Sequence, residues 1–138
     1  MEAKAKSAST EDFLFTVFQI CEGKKDRARL VNVASSLSVS RAAASKMAAK
    51  LSTAGMVEKS LYGKVTLTRS GKRLAKQMAR MHRVLEVFLH DRLGLRGDEL
   101  EQQAHKMEHA LSSRTLEQLD LFVGRPKNCP HGKRIYRK

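Results

Sequence analysis

Apolar residues return at helical intervals along most of this chain. Leu14, Val17, Phe18 and Cys21 stand at i, i+3, i+4 and i+7, one face of a helix. Ser9 and Thr10 offer a cap, and Glu11 and Asp12 suit the positive N-terminus, so a helix is predicted to open there. Gly23 followed by Lys24 and Lys25 ends it. A short helix over 30–37 and a turn at Ser38, Val39 and Ser40 lead into a longer helix. There Ala44, Met47, Ala48 and Leu51 repeat the stripe until Gly55 stops it. Two short helices parted by a three-residue turn are the helix-turn-helix pattern.

The period then changes. Val65 and Leu67 alternate with polar neighbours, as in a strand with one buried face, and Gly63 falls at the tip of a hairpin over 56–68. A hairpin directly after a helix-turn-helix is a wing. Thr68 is placed to cap a long helix in which Leu74, Met78, Met81, Leu85 and Phe88 form a seam suited to burial against another helix. Gly94 and Gly97 break the chain, Asp98 is placed to cap a helix to about Ser112, and a last helix covers 115–123. From Pro126 the chain reads as an irregular basic tail. The fold class is therefore mainly α with a small β-wing. An N-terminal winged helix-turn-helix over 1–70 is followed by a helical lobe over 71–138, whose seam suits dimerisation.

A length of 138 residues fits one compact domain or two small lobes, and 41% hydrophobic residues suffice for a core. No apolar run approaches the ~20 residues that span a bilayer, and the N-terminus lacks the apolar stretch of a secretory signal. The expectation is a cytoplasmic protein with no membrane partner. Two cysteines are too few for a disulfide framework; Cys21 is read as core.

Charge sharpens the picture. The net charge is +13. Residues 1–83 carry 17 Lys/Arg against 6 Asp/Glu, residues 84–124 carry 4 against 8, and residues 125–138 carry 6 against none. A basic front half and a basic tail suit a polyanion, with DNA phosphates the natural partner. On the longer helix Ser40, Arg41, Ser45, Lys46 and Lys50 are the candidate DNA-reading residues, and Lys59 and Lys64 flank the wing tip to hold phosphate. Ala42, Ala43 and Ala44 offer methyl groups but no hydrogen bonds, so base readout is expected to be sparse.

The acidic segment carries different chemistry. Glu101, His105, Glu108 and His109 share one face of a helix, and His82 and Glu86 form an i, i+4 pair on the helix before it. Carboxylate and imidazole together suit a first-row divalent metal. The plain alternatives are surface ion pairs for Glu86 and Glu101 and a structural histidine at position 82. Finding His82 together with Glu108 and His109 favours metal, since separate helices can close one site. Residues 105–109 also match H-x-x-E-H, the inverted zinc-peptidase motif. A hydrolase needs a walled substrate cleft, and a chain that spends half its length on DNA binding has no room for one. No enzyme and no small organic substrate are expected.

At this point the sequence resembles the DtxR/MntR family of metal-dependent transcriptional repressors along nearly its full length. The resemblance rests on Glu11 to Leu14, on Val39-Ser40, Ser45 to Met47, Lys50-Leu51 and Gly55 to Val57, and on Tyr62-Gly63, Leu67-Thr68 and Gly71. It continues through His82-Arg83, Leu85 to Leu89, Glu108 to Ser112 and Cys129 to Gly132. It implies Asp12, His82, Glu108 and His109 as metal ligands. His105 stands where relatives usually carry Glu or Cys, and Glu86 and Glu101 stand at or near an ancillary metal position. Manganese sensors of the family often carry Glu three residues after the aspartate, where this chain has Phe15. Cys129 and His131 belong to a motif usually structural, with metal binding the other reading. Some relatives continue into a small SH3-like domain, expected to be absent from a chain that stops at Lys138.

The sequence thus leads to a homodimeric repressor that binds a pseudopalindromic double-stranded operator with a divalent corepressor, Fe²⁺ favoured and Mn²⁺ next. The alternative is a winged-helix regulator indifferent to metal.

Overall fold

The computed structural model of the chain describes residues 2–24 and 27–137, apart from the side chains of residues 2–8 and of Leu61. Lys25, part of the expected stop of the first helix, lies outside the described residues. The elements are α1 (Glu2–Cys21), β1 (Ala28–Arg29), α2 (Leu30–Leu37), α3 (Arg41–Thr53), β2 (Val57–Lys59), β3 (Lys64–Leu67), α4 (Arg69–Asp91), α5 (Gly97–Glu108) and α6 (Ser113–Phe122). They form two compact units, residues 1–76 and 77–138. No helix among the described residues is long and apolar enough to cross a membrane.

In the first unit α1 does not open at Ser9-Thr10; the helix runs through them from Glu2. A capping signal is a weak local preference that an uninterrupted helix overrides. Leu14, Val17 and Phe18 are buried as expected, but so are Phe13 and Phe15, so more than one face is covered. Cys21 is only half-buried. Helix α2 ends at Ser38, which takes the left-handed conformation (φ 57°) and returns its N–H to the helix. Ser40 then caps α3, its hydroxyl accepting from Ala43 N at 3.0 Å. Ala44, Ala48 and Leu51 are buried on the predicted stripe.

The end of α3 is a Schellman turn. Gly55 is left-handed (φ 76°), its N–H donates to Ser52 O, and Met56 N–H donates to Leu51 O. Thr68 is held to this turn: its hydroxyl donates to Gly55 O at 2.7 Å and accepts from Gly71 N at 3.1 Å, capping α4 as expected. The wing is β2 and β3, antiparallel, with Val57 opposite Leu67 and Lys59 opposite Val65. A third strand extends it, β1, pairing Ala28 with Val65 and Arg29 with Lys64. The order is β1-β3-β2.

In the second unit the middle of α4 is enclosed on every side, residues 82–87 all being buried. Val84 and Val87 pack with Leu116 of α6 and with Cys129 and Ile135 of the tail. Leu85 and Leu89 pack with Leu100 and Ala104 of α5. Helix α5 begins after Arg96, not at an Asp98 cap, and stops at Glu108 rather than Ser112, with His109 as its C-cap. Ser112 instead caps α6, accepting from Thr115 N. The tail is irregular, as expected, but it is not loose. Residues 124–137 form a small returning loop with an Asn128–Arg134 bridge, and they bury Cys129 and Ile135. Burial of two isolated residues has no period for sequence reading to detect.

Candidate metal centre and nucleic-acid interface

Helix α3 of the first unit presents its polar residues outward. Arg41, Ser45, Lys46 and Lys50 on α3 are all exposed, as is Lys59; Lys64 is half-buried. Ser40 is occupied as the cap of α3, which leaves the helix N-terminus and Arg41 as its leading polar features. Sequence reading gave Tyr62 a place in the family resemblance but no role at the DNA. It stands at the wing tip, 94% exposed, in a left-handed conformation (φ 72°) uncommon for a bulky residue. The only signal was its place beside Gly63.

The second unit gathers the acidic segment's residues around His82. Its Nδ1 is 2.6 Å from Glu108 Oε2, and its Nε2 is 3.6 Å from Glu86 Oε1 and 3.5 Å from Glu101 Oε2. Three carboxylates thus surround one buried imidazole. Burial by itself lowers the His82 pKa, but the Glu101 and Glu108 contacts and the charges of Glu108 and Glu86 outweigh it and raise the value to about 10. Glu86 is pushed up to about 8, first by burial and then by sharing a proton with Glu101. Glu101 is drawn down to about 2 by His82. Without a cation, the cluster holds protons to offset its excess negative charge.

Two donor groups flank His82. On one side His105 Nδ1 and His109 Nε2 lie 3.2 and 3.6 Å from Glu108 Oε1. One ligand atom from each of these three residues falls within 4.8 Å of the others. On the other side Glu86 Oε2 is 2.7 Å from His131 Nδ1. Glu86, Cys129 and His131 form one group within 4.8 Å, and His82, Glu86 and Glu101 another. Among the described residues Glu86 and Glu101 thus pair with His82 and His131 and not with Lys or Arg, the alternative the sequence left open. Cys129 and His131 came from the tail unanticipated as partners of Glu86; the sequence gives no spacing that links them. Asp12 lies on α1 in the first unit, half-buried.

The donors fit a divalent ion. Glu86 Oε2 and Glu108 Oε1 are buried, and among the described residues the imidazole nitrogens beside them, His131 Nδ1 at 2.7 Å and His105 Nδ1 at 3.2 Å, make no hydrogen bond of good geometry to them. Buried oxygens in that condition are rare without an ion or water to satisfy them. His82 also has the habit of a ligand, with one ring nitrogen held by a carboxylate and the other turned toward further donors.

Comparison with known proteins agrees with this architecture. Residues 6–65 match the iron dependent repressor N-terminal DNA binding domain, and residues 68–137 match the iron dependent repressor metal binding and dimerisation domain. An uncharacterised HTH-type transcriptional regulator of Methanocaldococcus jannaschii is 32% identical over 122 residues, 88% of this chain and 98% of its own length. The transcriptional regulator MntR of an Escherichia coli strain is 36% identical over 96 residues, 70% of this chain and 61% of its own. A solved manganese-dependent transcriptional repressor in complex with manganese superposes with TM-score 0.86 at 38% identity, over 93% of this chain and 58% of that one. IdeR of T. acidophilum superposes at 0.80 with 30% identity, over 91% of this chain and 58% of its own. The chain spans about three-fifths of the length of these last three. With both domains matched in order along nearly the whole chain, it belongs to the iron-dependent, DtxR/MntR family of metal-dependent transcriptional repressors.

Proposed function

We propose that this chain acts in the cytoplasm as a homodimer that reads a pseudopalindromic operator, with Fe²⁺ preferred over Mn²⁺ as corepressor. Residues 1–70 would read DNA and residues 71–138 would hold metal and the partner subunit. The observation that carries the metal reading is the pair of buried carboxylate oxygens, on Glu86 and Glu108, set 2.7–3.6 Å from the imidazole nitrogens of His131, His105 and His109 with no hydrogen bond of good geometry.

His105, Glu108 and His109 would hold one ion, and the family resemblance assigns Asp12 of α1 to the same ion. His82 through Nε2, with Glu86 and Glu101, would hold a second, to which Cys129 and His131 are available. The ion supplies positive charge that replaces the protons kept in the cluster. Glu108 would orient His82 by accepting from its Nδ1–H, while its other oxygen faces His105 and His109. Because Asp12 sits in the DNA-binding unit, occupancy would reach α3 through α1. By linkage, operator DNA should then tighten metal binding by the same factor.

On α3, Arg41, Ser45, Lys46 and Lys50 would enter the major groove behind the Ser40 cap, while Lys59 and Lys64 hold phosphate beside the wing. Leu121 and Phe122 on α6 and Leu93 are exposed apolar residues, and an apolar groove runs along Thr115, Gln118, Leu119, Leu121 and Phe122. That face suits a second copy of the chain. The H-x-x-E-H match is read as ligation, not peptidase chemistry, since the curated relatives are transcriptional regulators.

The test is an anaerobic DNA-binding titration with the metal-free protein and with Fe²⁺, Co²⁺, Mn²⁺ and Zn²⁺ separately. Affinity should rise at least tenfold with Fe²⁺ or Co²⁺. Equal affinity with and without every ion would favour the regulator indifferent to metal.

A further inference from the structure

The tail that brings Cys129 and His131 to Glu86 has almost no secondary structure of its own. Between Gly124 and Arg137 it makes a single bridge, Asn128–Arg134. Its loop is closed by Cys129 N–H to Lys133 O at 2.8 Å, Gly132 N–H to Cys129 O at 2.9 Å and Ile135 N–H to Lys127 O at 2.8 Å. These bonds shape the loop but do not fix it to the helices. Cys129 packs against Val84, Val87 and Leu116, and the return segment, residues 134–137, adds the ties that do not involve a candidate ligand. Arg83, 2% exposed, donates to Arg134 O at 2.7 Å. Ile135 enters the core beside Val84, Val87 and Leu116. Arg137 then forks onto Asp120, donating from Nε to Oδ2 at 2.8 Å and from Nη2 to Oδ1 at 2.6 Å.

Asp120 is fully buried on α6 and also accepts from Arg80 of α4 at 3.0 Å. A buried carboxylate with two guanidinium partners is a strong, directional anchor, because the fork fixes both distance and plane. Its position matters for ligation. Two donors in a short loop bind an ion well only if the loop is already ordered. Otherwise ordering each of its residues on binding costs backbone entropy and weakens affinity.

We infer that the Asp120–Arg137 ion pair is a clamp that pre-orders the tail, making Asp120 and Arg137 positioning residues for a metal held by Glu86, Cys129 and His131. The inference rests on the metal reading proposed above for those three residues. Thiolate, imidazole and carboxylate together suit a borderline ion such as Co²⁺, Fe²⁺ or Zn²⁺. The clamp touches none of the ligands. It acts on them through the seven residues from His131 to Arg137.

Anaerobic Co²⁺ titration of the full chain tests this, because the thiolate-to-cobalt charge-transfer band reports Cys129 and no imidazole or carboxylate ligand. Cys129→Ser should abolish the band, which excludes Cys21 as its source. Arg137→Gln is the informative variant, since Arg80 still pairs with Asp120 and the fold keeps its buried anion satisfied. The Co²⁺ concentration that half-saturates the band should rise about tenfold, as expected for loss of a charge-assisted pair. Cobalt absorption from sites without thiolate should titrate as before. Arg137→Lys, which keeps charge but not the fork, should fall between. Hydrogen exchange at the Cys129 and Ile135 amides should quicken in Arg137→Gln and slow again at saturating metal. A thiolate band that half-saturates at the same Co²⁺ in wild type and Arg137→Gln overturns the clamp while leaving the site. No thiolate band in the wild type overturns the site and the clamp with it.

Discussion

His82 Nδ1 and Glu108 Oε2 stand 2.6 Å apart, with both residues buried. The pair couples two donor groups through one hydrogen bond. It also makes proton release the signature of metal binding. The ring carries a proton on both nitrogens at neutral pH, its pKa being raised to about 10 despite burial. A ligand imidazole must give up the proton on its coordinating nitrogen. Metal binding should therefore expel at least one proton, and log affinity should climb by about one per pH unit from neutral toward 10. In the metal-free protein the same pairing stabilises the fold fully below pH 6.5 and is lost as pH rises through about 10. Titration calorimetry in two buffers of different ionisation enthalpy measures the release. A slope of zero would remove His82 from the ligands.

Asp120 gives the opposite sign. Burial pushes its pKa up, but hydrogen bonds and charge from Arg137 and Arg80 overcome this and leave it lowered. Its stabilisation is complete above the ordinary carboxylate range and fades as pH falls through the lowered folded value. Asp120→Ala should destabilise the protein by about 1–3 kcal/mol at neutral pH, because it takes the buried anion from the half-buried Arg80 and Arg137, of which Arg80 keeps Glu117. The difference from wild type should shrink under strongly acidic conditions. Urea unfolding at neutral and acidic pH measures both.

Gly71 is held to glycine by proximity, not by its dihedral. A Cβ there would sit 1.9 Å from Met56 O, a backbone atom that already accepts from Thr68 N. Gly71→Ala must push α4 away from the Schellman turn that ends α3. A loss of about 1–3 kcal/mol is expected, as for overpacking elsewhere. Thermal unfolding should show a lower midpoint. An unchanged midpoint would mean that α4 shifts there without cost.

These residues also mark where sequence reading succeeds and where it stops. Helices α2 and α3, the wing and the Thr68 cap were readable because each rests on local signals: a stripe, a turn residue, a hydroxyl three places before an N–H. The face of α5 was readable for the same reason, and it brings Glu101, His105 and Glu108 to one side. Strand β1 is two residues long and has no period. The early end of α5 at Glu108 reflects a C-cap at His109 that no glycine announces. Glu86 meets His131, and Asp120 meets Arg137, through tertiary packing alone. Charge and spacing could name those residues as candidates but not pair them.

For DNA, exposed lysines on α3 and the wing should act through phosphate. Lys46→Ala and Lys64→Ala should each weaken operator binding and flatten the slope of log affinity against log salt by about one contact. Tyr62, exposed at the wing tip, is uncharged, so Tyr62→Ala should change affinity without changing that slope. Fluorescence anisotropy across a salt series separates these effects. An unchanged slope in both lysine variants would place them outside the interface.

His105 sets the last expectation, because it is the donor whose identity departs from relatives. It is exposed on α5, and its Nδ1 lies 3.2 Å from Glu108 Oε1. The ligand atom is therefore close enough to share an ion with Glu108 and His109, and open enough to be replaced without disturbing the core. An imidazole here makes the group richer in nitrogen, which favours iron and cobalt over manganese in the Irving–Williams order. Phe15 points the same way: it is buried and apolar where manganese sensors of the family often carry Glu. His105→Glu supplies a hard oxygen in its place. Competitive titration of the metal-free protein should show wild type binding Co²⁺ at least tenfold more tightly than Mn²⁺. The variant should narrow that ratio, mainly by losing Co²⁺ affinity, with its unfolding midpoint in the absence of metal close to wild type. A wild-type preference for Mn²⁺, or a ratio untouched by the substitution, would move the source of selectivity away from His105.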